Sequence, residues 1–189
     1  MSDDGIDIGR IGVWTFQLDM VPAARAAEHV SELDELGYGA VWFPEAVGRE
    51  AFTNAALLLR GGTDIVVATG IASIWARDPM AAAAAHRTLT EAHPERFLLG
   101  LGVSHQAMVE GVRGHDYTRP FSAMRDYLAA MDRSMFMAAQ PSTPPRRVLA
   151  ALGPRMLGLA AKETDGALPY FVPPEHTAIA RETLGDGPL

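Results

Sequence analysis

Cysteine is absent from this 189-residue chain, so neither a disulfide framework nor a thiolate metal site can form, and nothing in the composition implies secretion. Positive charge is scarce: sixteen Lys and Arg face twenty-three Asp and Glu, a formal net charge of −7. That balance argues against nucleic acid or an anionic membrane surface as partner, and a solvated acidic surface explains it equally well. No basic stripe interleaved with aromatics suggests RNA or DNA. No apolar run approaches the roughly 20 residues of a membrane span. The acidic start, MSDDGIDIGR, is unlike a signal peptide. The carboxylates and histidines show no metal-ligand spacing. The expectation is a cytoplasmic globular chain, 48% hydrophobic and 21% charged, forming one domain over residues 1–189.

Strand and helix patterns alternate, which is the signature of a parallel sheet covered by helices. Strands are predicted at Ile11 to Phe16, Ala40 to Phe43, Ile65 to Ile71, Phe97 to Val103, Arg147 to Leu152 and Ala167 to Val172. Asp19 and Pro22 supply a cap and a first-turn proline for a helix carrying Val30, Leu33 and Leu36, which Gly37 stops. Further helices are expected around Thr53 to Arg60, after Asp78-Pro79, at Phe121 to Met137, at Pro154 to Thr164 and from Pro174 to near Gly185. The Ala81 to Ala85 run reads as a helix lying close against a sheet. QPSTPPRR, Gln140 to Arg147, is the strongest breaker, yet a strand and helix of the same style resume after it, so it is an internal connection. Residues 104–121, with Gly111, Gly114, His115 and Pro120, read as an extended loop.

The strongest functional pattern is FLLGLGVSHQ, Phe97 to Gln106, where an apolar strand runs into a glycine-spaced polar turn. Ligands of α/β proteins bind at such C-terminal strand ends, and similar ends occur at Val41 to Glu45, Val66 to Ser73 and Val148 to Gly153. Gly153-Pro154-Arg155 joins a strand to a helix N-terminus, where free N–H groups, the helix dipole and a guanidinium favour an anion such as a coenzyme phosphate. Alone this is a weak motif, since helices often begin with Pro. Glu45 could act as acid or base if burial raises its pKa, or could cap the next turn. Trp14 and Trp42 read as pocket walls or core, and Trp75 as a substrate-side aromatic. His115 is a substrate-side candidate. His29, His86, His93 and His176 read as surface or packing residues.

The unit count is unusual. A closed (β/α)8 barrel needs eight units and typically about 250 residues. Here about six units are counted in 189 residues, so the predicted fold is α/β, either an open sheet or an incomplete barrel.

Taken in order, AARAAEHVSELDELGYGAVWFPEAVGRE, DIVVATGIASIWARDP, HPERFLLGLGVSH and RVLAALGPRMLGLAAKETDGALPYFVPPEH resemble the bacterial luciferase-like flavin or deazaflavin oxidoreductases. More narrowly they are similar to the actinobacterial branch that uses coenzyme F-420, a 5-deazaflavin. The resemblance runs from about Ile8 to about Leu189. It implies a (β/α)8 luciferase-like fold lacking the last two β/α units, a homodimer, and hydride transfer between coenzyme F-420 and a small organic substrate. The family also includes monooxygenases that use flavin mononucleotide (FMN), and a shortened member could be non-catalytic.

The resemblance also implies site residues. It sets a cis peptide behind the ring at Ala72, Ser73 and Ile74, although Ser73 read alone merely ends a buried strand. It puts ring contacts at Gly102, Val103 and Ser104, where glycine lets backbone approach a flat ring. Ser104 and His105 could then donate to a ring carbonyl, and His105 could relay a proton or be only a loop histidine. It supports phosphate contacts at Gly153, Pro154 and Arg155. Several deazaflavin relatives carry an Asp-His pair at the second strand end, where this chain has Pro44-Glu45.

Overall fold

Short apolar strands alternate with helices that mostly begin on proline. In order they are β1 (Gly12–Trp14), α1 (Ala23–Glu35), β2 (Ala40–Phe43), α2 (Ala51–Leu58), β3 (Val66–Thr69), β4 (Ala72–Ser73), α3 (Pro79–Ala92), β5 (Phe97–Gly102), α4 (Pro120–Asp132), β6 (Arg146–Ala150), α5 (Pro154–Glu163), β7 (Gly166–Leu168) and α6 (Pro174–Leu184). They are seen in a computed structural model that describes residues 6–185. Helices α3 to α6 start on proline because its fixed φ suits the first turn, where an N–H would have no helical partner.

The described residues divide into two compact units, the first comprising residues 6–72, 85–99 and 138–146, the second residues 73–84, 100–137 and 147–185. In the first unit β1, β2, β3 and the start of β5 pair in parallel, with Gly12 beside Ala40, Ala40 beside Val66 and Val67 beside Phe97. Strand β3 is buried at every position, which explains its unbroken apolar run. The core of this unit includes Val30, Val41, Phe43, Leu58, Val67 and Leu98, with Phe97 set against Phe52 at 6.1 Å and edge-on to His86 at 5.8 Å. His86 is buried, and its Nε2–H donates to the Arg146 carbonyl at 3.0 Å, so it packs and fastens rather than ligates.

Asp34 organises the entry to β3. Its carboxylate accepts the amides of Thr63 at 2.7 Å, Asp64 at 3.3 Å and Ile65 at 3.0 Å. Partial burial alone would raise its pKa, but these three amides outweigh it and hold the carboxyl below its ordinary value. Arg96 completes the turn by donating to the carbonyls of Gly61 at 2.8 Å and Ile65 at 3.3 Å.

In the second unit β6 pairs in parallel with β7, Val148 beside Gly166 and Ala150 beside Leu168. Ala151, Leu157 and Ala180 are buried together, with Met156 and Ala167 against them. Met124, Tyr127, Leu128 and Met131 form the buried face of α4, as their spacing predicts. Arg147 ties β6 down, its amide donating to Asp165 at 2.8 Å and its guanidinium lying 2.7 Å from Asp132.

Several predicted boundaries move, each for a physical reason. Asp19 does not cap α1; it lies in a 3-10 turn, Gln17–Met20, where its carboxylate accepts from Asn54 Nδ2 at 2.8 Å and from the Arg49 amide at 3.2 Å, and Pro22 takes the cap position. Helix α2 starts earlier than predicted, at Ala51, because Glu50 accepts the amides of Phe52 and Thr53. Helix α4 stops at Asp132 rather than Met137: Met135 and Met137 are 81% and 94% exposed, so no packing face carries the helix on. Strand β7 ends at Leu168 because Pro169, next in line, has no N–H for the ladder. The expected loop after β5 contains a π-helical turn, Ala107–Val112, in which the Arg113 amide donates to the Met108 carbonyl.

Candidate functional site

In the first unit the C-terminal ends of β1, β2 and β3 are laced together by backbone. The Gly70 amide donates to Phe43 O at 2.7 Å and the Glu45 amide to Ile71 O at 3.0 Å. Trp14 lies half-buried, and its indole N–H donates to the Gly70 carbonyl at 2.9 Å, so the ring is fixed across the end of β3. The cis peptide falls at Gly70-Ile71, two residues before the expected Ala72-Ser73-Ile74 segment, and it is not a proline bond. Ala72 and Ser73 instead form the short strand β4, which pairs with β5, and both are buried.

Glu45 is 8% exposed and its Oε1 accepts the Ala51 amide at 3.2 Å. The helix-capping alternative is therefore realised, and it leaves a buried carboxylate at a strand end. The loop beyond is clamped by Arg49, which donates to the carbonyls of Leu18 at 2.9 Å and Val21 at 2.5 Å and lies 3.9 Å from Asp19. Neither Arg49 nor Asn54 stands out in the sequence, because no local spacing marks a contact made across about 30 residues.

In the second unit the end of β5 is the organised surface. The Ile74 amide donates to Gly102 O at 3.2 Å, and the Trp75 indole N–H to Val103 O at 2.8 Å. Ser73 Oγ accepts the Trp75 amide at 3.3 Å, and Arg77 donates to Ser73 O at 3.3 Å. Ser104 follows in the left-handed region, with φ of 58°, which is uncommon for a residue with a Cβ. Its carbonyl accepts from the Tyr117 hydroxyl at 3.2 Å, and the Tyr117 ring lies 6.1 Å from that of Trp75. Burial raises the Tyr117 pKa above the ordinary phenol value, keeping the hydroxyl a donor through the neutral range. His105 is exposed, and its carbonyl receives the amides of Met108 and Val109 at the start of the π turn. His115 is exposed, with its amide on Val109 O.

At the start of α5, Gly153 has open space where a Cβ would stand. Pro154 occupies the first helical position, and the Arg155 guanidinium lies 4.3 Å over the Phe121 ring. A cation–π contact fixes the charge without consuming its hydrogen-bond donors. Among the described residues there is no group of three or more His, Asp or Glu able to hold a metal ion, and no helix long and apolar enough to cross a membrane.

Residues 10–187 match the family model described as luciferase-like monooxygenase. The chain belongs to that family. Among its relatives is a Mycobacterium tuberculosis protein named as a candidate coenzyme F-420-dependent oxidoreductase, 28% identical over 97% of this chain and 60% of its own length. A solved F-420-dependent secondary alcohol dehydrogenase, holding an F-420–acetone adduct, superposes with a TM-score of 0.74 at 16% identity, covering 93% of this chain and 64% of that one. The oxygenating component of a Pseudomonas putida diketocamphane monooxygenase, solved with FMN, superposes with a TM-score of 0.69 at 11% identity over 92% and 61%. The fold is thus the (β/α)8 luciferase-like type, here incomplete, and the chain spans about three-fifths of the length of the relatives it matches.

Beyond the residues read from sequence, the structure shows Gly70 and Ile71 at the strand ends of the first unit, and Arg77 and Tyr117 at the end of β5 in the second. Tyr117 had no signal of its own: it enters through a hydrogen bond spanning thirteen positions.

Proposed function

We propose that this luciferase-like chain is an oxidoreductase that moves a hydride between coenzyme F-420 and a small organic substrate. The observation that carries the choice of deazaflavin is the 28% identity, over 97% of this chain, to the mycobacterial protein named for F-420. The FMN reading stands second, supported by the likeness to the FMN-bound monooxygenase. The same reading takes residues 1–189 as one domain of a cytoplasmic homodimer.

The residues suit such a group. The backbone at Ala72, Ser73, Ile74, Gly102, Val103 and Ser104 would back a flat ring, glycine permitting close approach. Gly153 leaves room at the helix N-terminus for a phosphate, with the α5 dipole and Arg155 opposing its charge. Bound coenzyme would supply a ring carbon that accepts or returns a hydride. In the first unit Glu45, a buried carboxylate beside a helix N-terminus, would hold or release the substrate's proton, and in the second unit the exposed His105 is the candidate proton carrier. Trp14 in the first unit, and Trp75 and His115 in the second, are the residues taken for the substrate side.

The test separates the phosphate from the ring. Arg155→Ala is expected to weaken coenzyme F-420 binding about tenfold, consistent with loss of one charge-assisted contact. Binding of the phosphate-free ribityl deazaflavin should stay within twofold of the unsubstituted chain. Equal weakening of both ligands would contradict the phosphate assignment, and saturable binding of FMN without F-420 would favour the second reading.

A further inference from the structure

The turn that ends β5 is held by a side chain that lies outside the strand-end pattern. Ser104 adopts a left-handed backbone, which a residue with a Cβ occupies only when its surroundings enforce it. Tyr117 provides the enforcement from two sides. Its hydroxyl donates to the Ser104 carbonyl at 3.2 Å, and its ring lies 6.1 Å from Trp75, whose own N–H donates to the neighbouring Val103 carbonyl at 2.8 Å. Two adjacent carbonyls of one turn are therefore fixed by two aromatic side chains in mutual contact.

Tyr117 is itself anchored. Its amide donates to Glu110 Oε1 at 3.2 Å, and the other oxygen of Glu110 accepts from Gln106 Nε2 at 2.9 Å, which joins Tyr117 to the π-helical turn that Ser104 and His105 lead into. The π turn replaces what the sequence alone gives as an irregular loop.

We propose that Tyr117 is a positioning residue: it holds the Val103-Ser104 turn in the left-handed shape that presents backbone to the coenzyme ring, with Trp75 as its brace. This rests on the oxidoreductase reading above for the identity of the ligand, but the positioning itself is a property of the chain alone.

The experiment is a double-substitution cycle with Tyr117→Phe and Ser104→Gly, read in two ways. Tyr117→Phe keeps the ring and removes only the hydroxyl, so the chain should fold as before. Hydrogen–deuterium exchange on the ligand-free protein is the first readout. Tyr117→Phe should speed exchange of the Met108, Val109 and Arg113 amides about fivefold and leave those of β2 unchanged. In the Ser104→Gly background the same substitution should change them less than twofold, because glycine takes the left-handed conformation without a Cβ penalty. The second readout is coenzyme F-420 affinity. Tyr117→Phe should raise Kd about five- to tenfold in the native background, a size in keeping with one hydrogen bond, and less than twofold beside Ser104→Gly.

Equal effects in both backgrounds, in exchange or, where F-420 binds, in affinity, would overturn the proposal and leave Tyr117 a packing residue. If no variant, nor the unsubstituted chain, binds F-420 or FMN while the exchange cycle behaves as expected, the positioning stands and the oxidoreductase reading fails.

Discussion

Gly61→Ala is expected to lower the melting temperature by roughly 6–12 °C. Gly61 is buried after α2, and a Cβ there would overlap the Ala27 carbonyl oxygen and stand 2.8 Å from its carbon and 3.1 Å from Val30 Cβ. Those atoms belong to α1 and cannot withdraw as a flexible side chain would. Overpacking of this kind costs about 3 kcal/mol at the upper end of its usual range, and a chain of this size loses roughly 2–4 °C per kcal/mol. Gly158→Ala provides the opposite sign. Gly158 lies within α5 with nothing within 4 Å of where a Cβ would stand, so alanine should stabilise by about 1 kcal/mol through helix propensity alone. Thermal unfolding of the two variants side by side checks both, and a Gly61→Ala variant as stable as the parent would show that the approach of this turn to α1 is not as described.

Glu45→Gln carries the largest expected effect on activity. The glutamine amide oxygen can still accept the Ala51 N–H, so this contact with the start of α2 survives. What is lost is the ability to take a proton. With the best substrate from a screen of small alcohols and carbonyl compounds, turnover with F-420 should fall about a hundredfold or more, the range ascribed to general acid–base catalysis. Coenzyme affinity should remain within threefold. Turnover within threefold of the unsubstituted chain would reduce Glu45 to a helix cap.

Much of the architecture was legible because it depends on local rules. The buried runs of β3 and β5, the prolines that open α3, α5 and α6 and the face of α4 each follow from periodicity or from the chemistry of one residue. In the sequence, strand ends and helix starts mark Glu45, Ser104 and Arg155 as candidates. What escaped depends on contacts distant in sequence. Asp19 looks like a cap but is drawn to Arg49 and Asn54, 30 and 35 positions away. Tyr117 reaches Ser104 only because the π turn folds the intervening residues back, and no repeat in the sequence announces that turn. The cis bond lies at Gly70-Ile71 rather than at the residues that the family resemblance indicated, two positions further on.

The most direct test of the central claim is a fluorescence titration of the purified, size-checked protein with oxidised coenzyme F-420, run beside FMN. The account predicts saturable binding of F-420 in the micromolar range, with FMN at least tenfold weaker. Saturable binding of FMN alone, or of neither ligand, would contradict it.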